Sequence, residues 1–336
     1  MFKAINLMQT TATVPGTPAA GTPALKTPVP VKRRKITFSR VMLYAVLIIT
    51  ALIMAFPLLF GAAASISTLE DYYKTPWFPI PFNPTLQNWQ LILGGATTGT
   101  ASPVLVWVRN TVLRAGWYIL IPSIVAVLGG YAFAKLKFKG RDIAFIYLLC
   151  SLVLPGIVYL VPTYVMMARW PLVGGNDIFG QGGRGFINQW PALIITGWVN
   201  VFFIFMFRQT FITIPADFEE AARVDGAGTL RCLKDVYLPM LKPTLVVLVI
   251  FQFVAIWNDY IWPLFVSAGN KDIWVIALGF QFLAAAGNQL KGMPATSLDN
   301  PFLFALATFT LLPLLIMYVV LQRFFVEGVQ GFAIKG

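Results

Sequence analysis

Long apolar runs separated by short polar stretches dominate the chain from residue 39 onward. Six of them, at 41–64, 111–134, 143–166, 191–207, 243–266 and 301–321, predict membrane-spanning helices. Each is long enough, the fourth only just, to cross about 30 Å of hydrocarbon at about 1.5 Å per residue. Their unbroken apolar character lacks the alternation of a barrel strand, so helix is the spanning form. Residues 1–38 read differently. Thr, Pro, Ala and Gly fill 10–30, and Lys32-Arg33-Arg34-Lys35 closes the stretch. Too little apolar surface is present to offset the entropy of ordering, and there is no apolar core of a cleavable signal. The pattern therefore predicts a disordered tail at 1–38 and an all-α integral membrane domain of six transmembrane helices at 39–336.

Composition narrows the function. The chain is 58% hydrophobic and 11% charged, against about 25% charged for soluble domains, and its mean hydropathy is +0.74. A soluble enzyme, a disulfide-stapled secreted domain and a disordered protein are all disfavoured. With no histidine, the chain builds no Ser-His-Asp triad, no His-ligated metal site and no imidazole relay. Cys150 and Cys232 lie in an apolar run and a charged loop, so no cysteine framework is indicated. The spans carry no paired-carboxylate metal motif of the Asp-Asp-x-x-Asp kind, which argues against a membrane-embedded enzyme. No catalytic and no metal residue is assigned.

The net charge of +12 sets orientation rather than marking a nucleic-acid partner. With the N-terminus inside, the cytoplasmic pieces 1–40, 135–142, 208–242 and 323–336 hold eighteen of the 25 Lys and Arg. Both termini are then cytoplasmic. The basic cluster at 32–35 is expected to hold the N-terminus inside, with contact to anionic membrane lipids as the second reading. Trp77, Trp89, Trp107, Trp170, Trp190, Trp262 and Trp274 all fall in outer loops or near outer helix ends, as an interfacial belt would.

The informative segment is the cytoplasmic loop 213–240. Pro215 suits a first helical position, and Asp217, Glu219 and Glu220 sit where a positive helix end favours acids. Phe218, Ala221, Ala222 and Asp225 share one face, small and apolar around Ala221-Ala222. Gly226 and Gly228 end this helix; a second starts at Thr229, aligns Leu230, Leu233 and Val236 or Tyr237, and stops at Pro239. A helix lying on lipid would be rich in Lys and Arg. Here the whole cytoplasmic piece 208–242 balances five acids against five bases, and the Ala-Ala centre of the loop suits close approach to a protein groove.

Glu220-Ala221-Ala222, three residues, Gly226, nine residues, then Val236, Tyr237, Leu238 and Pro239 resembles the EAA motif of permease subunits in binding-protein-dependent ABC importers. Asn88-Trp89, Asn110-Thr111, Leu154-Pro155-Gly156, Trp257-Asn258-Asp259 and the tail from Gln322 to Gly336 also resemble members of this family, of the carbohydrate type. The stretch 168–190 is longer than the family's usual loop.

The resemblance implies a type I ABC importer permease fold in a bacterial or archaeal inner membrane. It implies half of a carbohydrate pathway, shared with a second permease as a heterodimer. Two cytoplasmic ATPase subunits and an extracytoplasmic binding protein complete the assembly. Glu220, Ala221, Ala222, Asp225, Gly226, Leu238 and Pro239 are the implied ATPase-coupling residues. ATP and Mg belong to the ATPase; this chain binds no cofactor and is no enzyme. Gly287 to Gly292 is the nearest approach to a phosphate loop, but Met293-Pro294 follows it.

Asn258 and Asp259 are the candidates for the translocation pathway, since a carboxylate within a span is a functional hypothesis by default. A purely structural interhelical role is the competing reading. The alternative function is a secondary transporter driven by an ion gradient through Asp259. Gly287, Asn288 and Gln289 are the candidates for contact with the binding protein. Gly129-Gly130 reads as a close-packing site, and Leu154-Pro155-Gly156 as a kink.

Overall fold

The computed structural model describes residues 38–75, 77–94, 103–286 and 300–333. Among them every regular element is helical. The order is α1 (Phe38–Ser65), α2 (Leu69–Lys74), α3 (Gln87–Leu93), α4 (Pro103–Lys135), α5 (Arg141–Cys150), α6 (Leu160–Ala168), α7 (Trp190–Ile194) and α8 (Val201–Thr213). Then follow α9 (Asp217–Val224), α10 (Thr229–Arg231), α11 (Leu238–Met240), α12 (Lys242–Asn258), α13 (Ile261–Ser267), α14 (Ile276–Ala286) and α15 (Asn300–Ala333). Two compact units divide between Leu52 and Ile53, within α1.

Four helical stretches are long and apolar enough to cross a bilayer: Phe38–Ser65, Pro103–Lys135, Trp190–Thr213 and Pro301–Gln322. Two further pairs qualify only as bent units, Arg141–Val153 with Gly156–Ala168 at 95° and Thr229–Met240 with Lys242–Asn258 at 75°. The described residues thus hold four to six candidate spans, and two of the six predicted spans need correction. The run 143–166 is not one helix. Pro155 removes a backbone donor and pushes Leu154 to an extended ψ of 125°, so the chain turns sharply there. The run 243–266 is also divided. α12 ends at Asn258, Asp259 is extended at ψ 109°, and α13 begins at Ile261.

α4 is the axis on which the rest is packed. Its 33 residues extend about 50 Å. Near its C-terminal end Gly129 and Gly130 let α8 approach closely: a Cβ at Gly130 would lie 2.6 Å from Cβ of Phe207. The small pair therefore does pack a neighbouring helix. Around this crossing Val127, Tyr131, Phe207, Phe211, Tyr237 and Leu248 form one buried apolar cluster. At the other end of α4, Trp107, Trp257, Trp274, Ile276, Phe302 and Leu306 form a second.

Those clusters revise the aromatic reading. Trp107 and Trp274 are only 3% exposed, so they are core residues and not members of an interfacial belt. Large aromatic surfaces are favoured inside wherever the indole N–H finds an acceptor, and Trp274 Nε1 donates to the Ser267 carbonyl at 3.0 Å. Asn88 and Trp89 hold the segment after α1: Asn88 Nδ2 donates to the carbonyls of Ser65 and Ser67, and Trp89 Nε1 to Ser65 Oγ.

Candidate functional site

The segment between α8 and α12 is built by local chemistry. Ala216 accepts the first helical bonds of α9 from the Glu219 and Glu220 amides. At the other end Gly226 adopts φ +80°, a conformation that costs other L-residues about 1–2 kcal/mol. It allows Ala227 N–H to reach the Ala222 carbonyl at 2.9 Å and Gly226 N–H to reach Arg223 at 3.0 Å. This paired closure satisfies two carbonyls that the helix end would leave open. Beyond it the second helix differs from expectation. Thr229–Arg231 leads into a π-helical turn, Cys232–Tyr237, and Pro239 does not stop the helix. Pro239 instead lies directly after the π-helical turn, in the three-residue α11 that continues it to Met240.

α9 has two unlike faces. One is tied down through Glu219, whose side chain is 15% exposed. Its Oε2 accepts from the Tyr237 hydroxyl at 2.6 Å, and its Oε1 from Arg223 Nη2 at 2.7 Å and Nε at 3.1 Å. The Tyr131 hydroxyl of α4 lies 3.5 Å from the same Oε1. Beneath it the rings of Tyr131, Phe211 and Tyr237 meet pairwise at 5.4–5.7 Å between centroids. Lys135 Nζ donates to the Ile214 carbonyl at 2.9 Å, tying the start of the loop to the end of α4. Burial opposes ionisation of Glu219, but the Tyr237 hydroxyl and the Arg223 guanidinium outweigh it and hold its carboxyl below the ordinary value.

The other face is open. Glu220, Ala221, Val224 and Asp225 are exposed, Val224 by 88%, while Ala222 is half-buried. The structure therefore separates the expected Ala221-Ala222 face: Ala221 is presented outward and Ala222 leans into the protein. Leu238 and Pro239 are exposed on the exit toward α12. Arg223, Tyr131 and Lys135 were not named by sequence reading, and Glu219 and Tyr237 entered it only as a helix-start acid and a motif position, without their mutual contact. The available signals were the four-residue spacing of Glu219 and Arg223 and an aromatic in the variable position before Leu238.

Asn258 and Asp259 part company. Arg114, 1% exposed in α4, donates from Nη2 to Asp259 Oδ2 at 2.6 Å and from Nε to the Leu193 carbonyl at 3.0 Å. Asp259 Oδ1 accepts from the Trp262 amide at 3.4 Å. Arg114 Nη1 has no hydrogen-bond partner among the described residues. The Asp259 carboxylate is thus engaged in an interhelical ion pair that links α4 to the α12–α13 junction. Asn258 is exposed, with Nδ2 bonded to Val254 within its own helix. It lines a cavity of about 280 Å³ together with Trp257, Tyr260, Phe280, Gln281 and Thr310. Gly287, Asn288 and Gln289 lie outside the described residues. No group of three or more metal-ligating side chains occurs among the described residues.

The chain belongs to the family described as binding-protein-dependent transport system inner membrane component, whose model matches residues 126–331. It is 27% identical over 288 residues to the sn-glycerol-3-phosphate transport system permease protein UgpE of Brucella abortus, covering 85% of this chain and 94% of that one. It is 26% identical over 282 residues to the diacetylchitobiose uptake system permease protein NgcG of Streptomyces coelicolor, covering 83% and 84%. The fold matches a chain of a bacterial ABC transporter that imports the acidic polysaccharide alginate, with TM-score 0.70, 23% identity and coverage of 86% and 99%.

Proposed function

We propose that this permease forms half of the pathway of an ABC importer for a carbohydrate, and that α9 is the helix that docks into a cytoplasmic ATPase subunit. The observation that carries the coupling reading is the division of α9. One face is fixed through Glu219, and the other presents Glu220, Ala221 and Val224 to solvent. A short rigid helix with small residues and an acid on its free side fits a groove lined with basic or polar groups. The diacetylchitobiose permease among the relatives, and the alginate importer with the same fold, support a carbohydrate as cargo, while UgpE is named for sn-glycerol-3-phosphate, a phosphorylated polyol.

In this reading both termini and α9 are cytoplasmic, and a second permease completes the pathway. Two ATPases bind and hydrolyse ATP with Mg, and an extracytoplasmic binding protein delivers substrate on the opposite side. The cavity beside Asn258 is a stretch of the path. Asp259 serves structure, because its carboxylate already pairs with a buried arginine; this counts against a secondary transporter working through it.

Affinity purification of the tagged chain in mild detergent tests the assembly. An ATPase and a second permease in stoichiometric amounts are expected. A chain that purifies alone and transports with only an ion gradient overturns the proposal.

A further inference from the structure

α9 has three attachments to the rest of the protein, and they differ in geometry. Toward α12 the chain passes Gly226, Gly228, the π-helical turn Cys232–Tyr237 and the 75° bend before Lys242. A π-helical turn is a local interruption of the helical ladder, so this branch reaches α12 through successive breaks, with Tyr237 on it tied back to Glu219. Toward α8 the link is the extended residue Ile214, whose carbonyl is held by Lys135 of α4. The third is not covalent. Glu219 binds Tyr237, Tyr237 packs on Tyr131, and Tyr131 belongs to α4. Both of the tight attachments therefore end on the last two turns of α4.

The far end of α4 holds the segments around the cavity. Asn110 Nδ2 donates to the carbonyls of Asp272 and Trp274 at 2.7 and 2.9 Å, and Thr111 Oγ1 accepts from the Ile276 amide at 2.8 Å. Arg114 holds Asp259. From Arg114 to Tyr131 the helix extends about 25 Å. Within the described residues α4 is thus bonded by side chains to the α9 loop at one end and to both cavity-flanking segments at the other.

We propose that Glu219 and Tyr237 are positioning residues that pass movement of α9 into α4, and that α4 carries it to the segments around Asn258 and Ile276. The proposal rests on the reading of α9 as the ATPase-docking helix.

The test uses the assembled transporter in proteoliposomes with its binding protein, and reads substrate transported per ATP hydrolysed. Tyr237→Phe keeps the ring and removes the shorter of the two hydroxyl contacts on Glu219. Transport per ATP is expected to fall about tenfold, the factor given by losing one hydrogen bond to a charged group, while the ATPase still co-purifies. Glu219→Gln is expected to behave alike, and Glu219→Asp to recover part of the ratio. Tyr131→Phe, which removes only the longest contact, covers the case in which Tyr237→Phe does not accumulate, and is expected to lower the ratio less. A wild-type ratio in Tyr237→Phe and Glu219→Gln overturns the proposal, as does loss of ATPase binding in them. Failure of the docking reading itself is distinct: it would appear as undiminished ATPase co-purification with Glu220→Lys.

Discussion

Glu219 and Glu220 are adjacent on one helix and have opposite surroundings: Glu219 is enclosed by Tyr237 and Arg223, and Glu220 stands in solvent. The pair divides α9 between a residue that holds the helix and a residue that the helix presents. Reversing the charge of the exposed member leaves the fixed face intact. Glu220→Lys is expected to leave membrane abundance at the wild-type level and to abolish substrate uptake. Uptake assays at matched abundance check this, and wild-type uptake would remove Glu220 from the docking face.

The charge of Glu219 gives the helix a pH dependence of definite sign. Its folded carboxyl lies below the ordinary value, so its contribution is present above the unfolded value and is lost as pH falls through the folded one. Protection of α9 from hydrogen exchange is therefore expected to persist from neutral pH down to about 5, and to fall only below the usual carboxylate range of about 4. In Glu219→Gln that acid transition should be absent. An identical transition in the variant would assign it to another group.

The Arg114–Asp259 pair predicts non-additivity. Removing one member leaves the other uncompensated: Asp259→Ala strands a buried guanidinium and is expected to cost about 3 kcal/mol. Arg114→Met combined with Asp259→Leu should recover much of that loss and retain transport. Thermal unfolding in detergent with parallel uptake assays measures both. A double variant that is stable but inactive would return Asp259 to the transport chemistry.

Close packing on α4 is equally specific. A Cβ at Gly197 would collide with the Tyr118 ring, whereas one at Gly116 would meet nothing within 4 Å. Gly197→Ala is expected to destabilise by about 1–3 kcal/mol. Gly116→Ala should be neutral or stabilising by about 0.5–1 kcal/mol, since alanine is the better helix former. Detergent melting temperatures of the two variants decide.

Much of this was legible in the sequence for identifiable reasons. The apolar runs are long and continuous, and the Gly226 turn follows from the one residue type that enters positive φ freely, so four of the six span positions and the end of α9 came through. The Gly129-Gly130 contact was also readable. What was not legible depends on the three-dimensional environment. Two adjacent acids in a first helical turn look alike, and only the fold brings Tyr237 and Tyr131 to one of them. Trp107 and Trp274 fit a belt by position, yet each finds a buried site. Leu154-Pro155-Gly156 announced a bend without its 95° extent. The break after Asn258 was hidden because Tyr260, Ile261 and Trp262 continue the apolar run.

The central claim is that the open face of α9 meets an ATPase. Site-specific cross-linking tests it most directly, in a chain carrying Cys150→Ser and Cys232→Ala so that a single introduced thiol reacts. Val224→Cys, on the open face, is expected to give one cross-linked product with the co-purifying ATPase subunit. Leu172→Cys, 73% exposed in the segment between α6 and α7, is expected to give none. An active transporter with no ATPase product from Val224→Cys, or with equal products from both positions, would contradict the account.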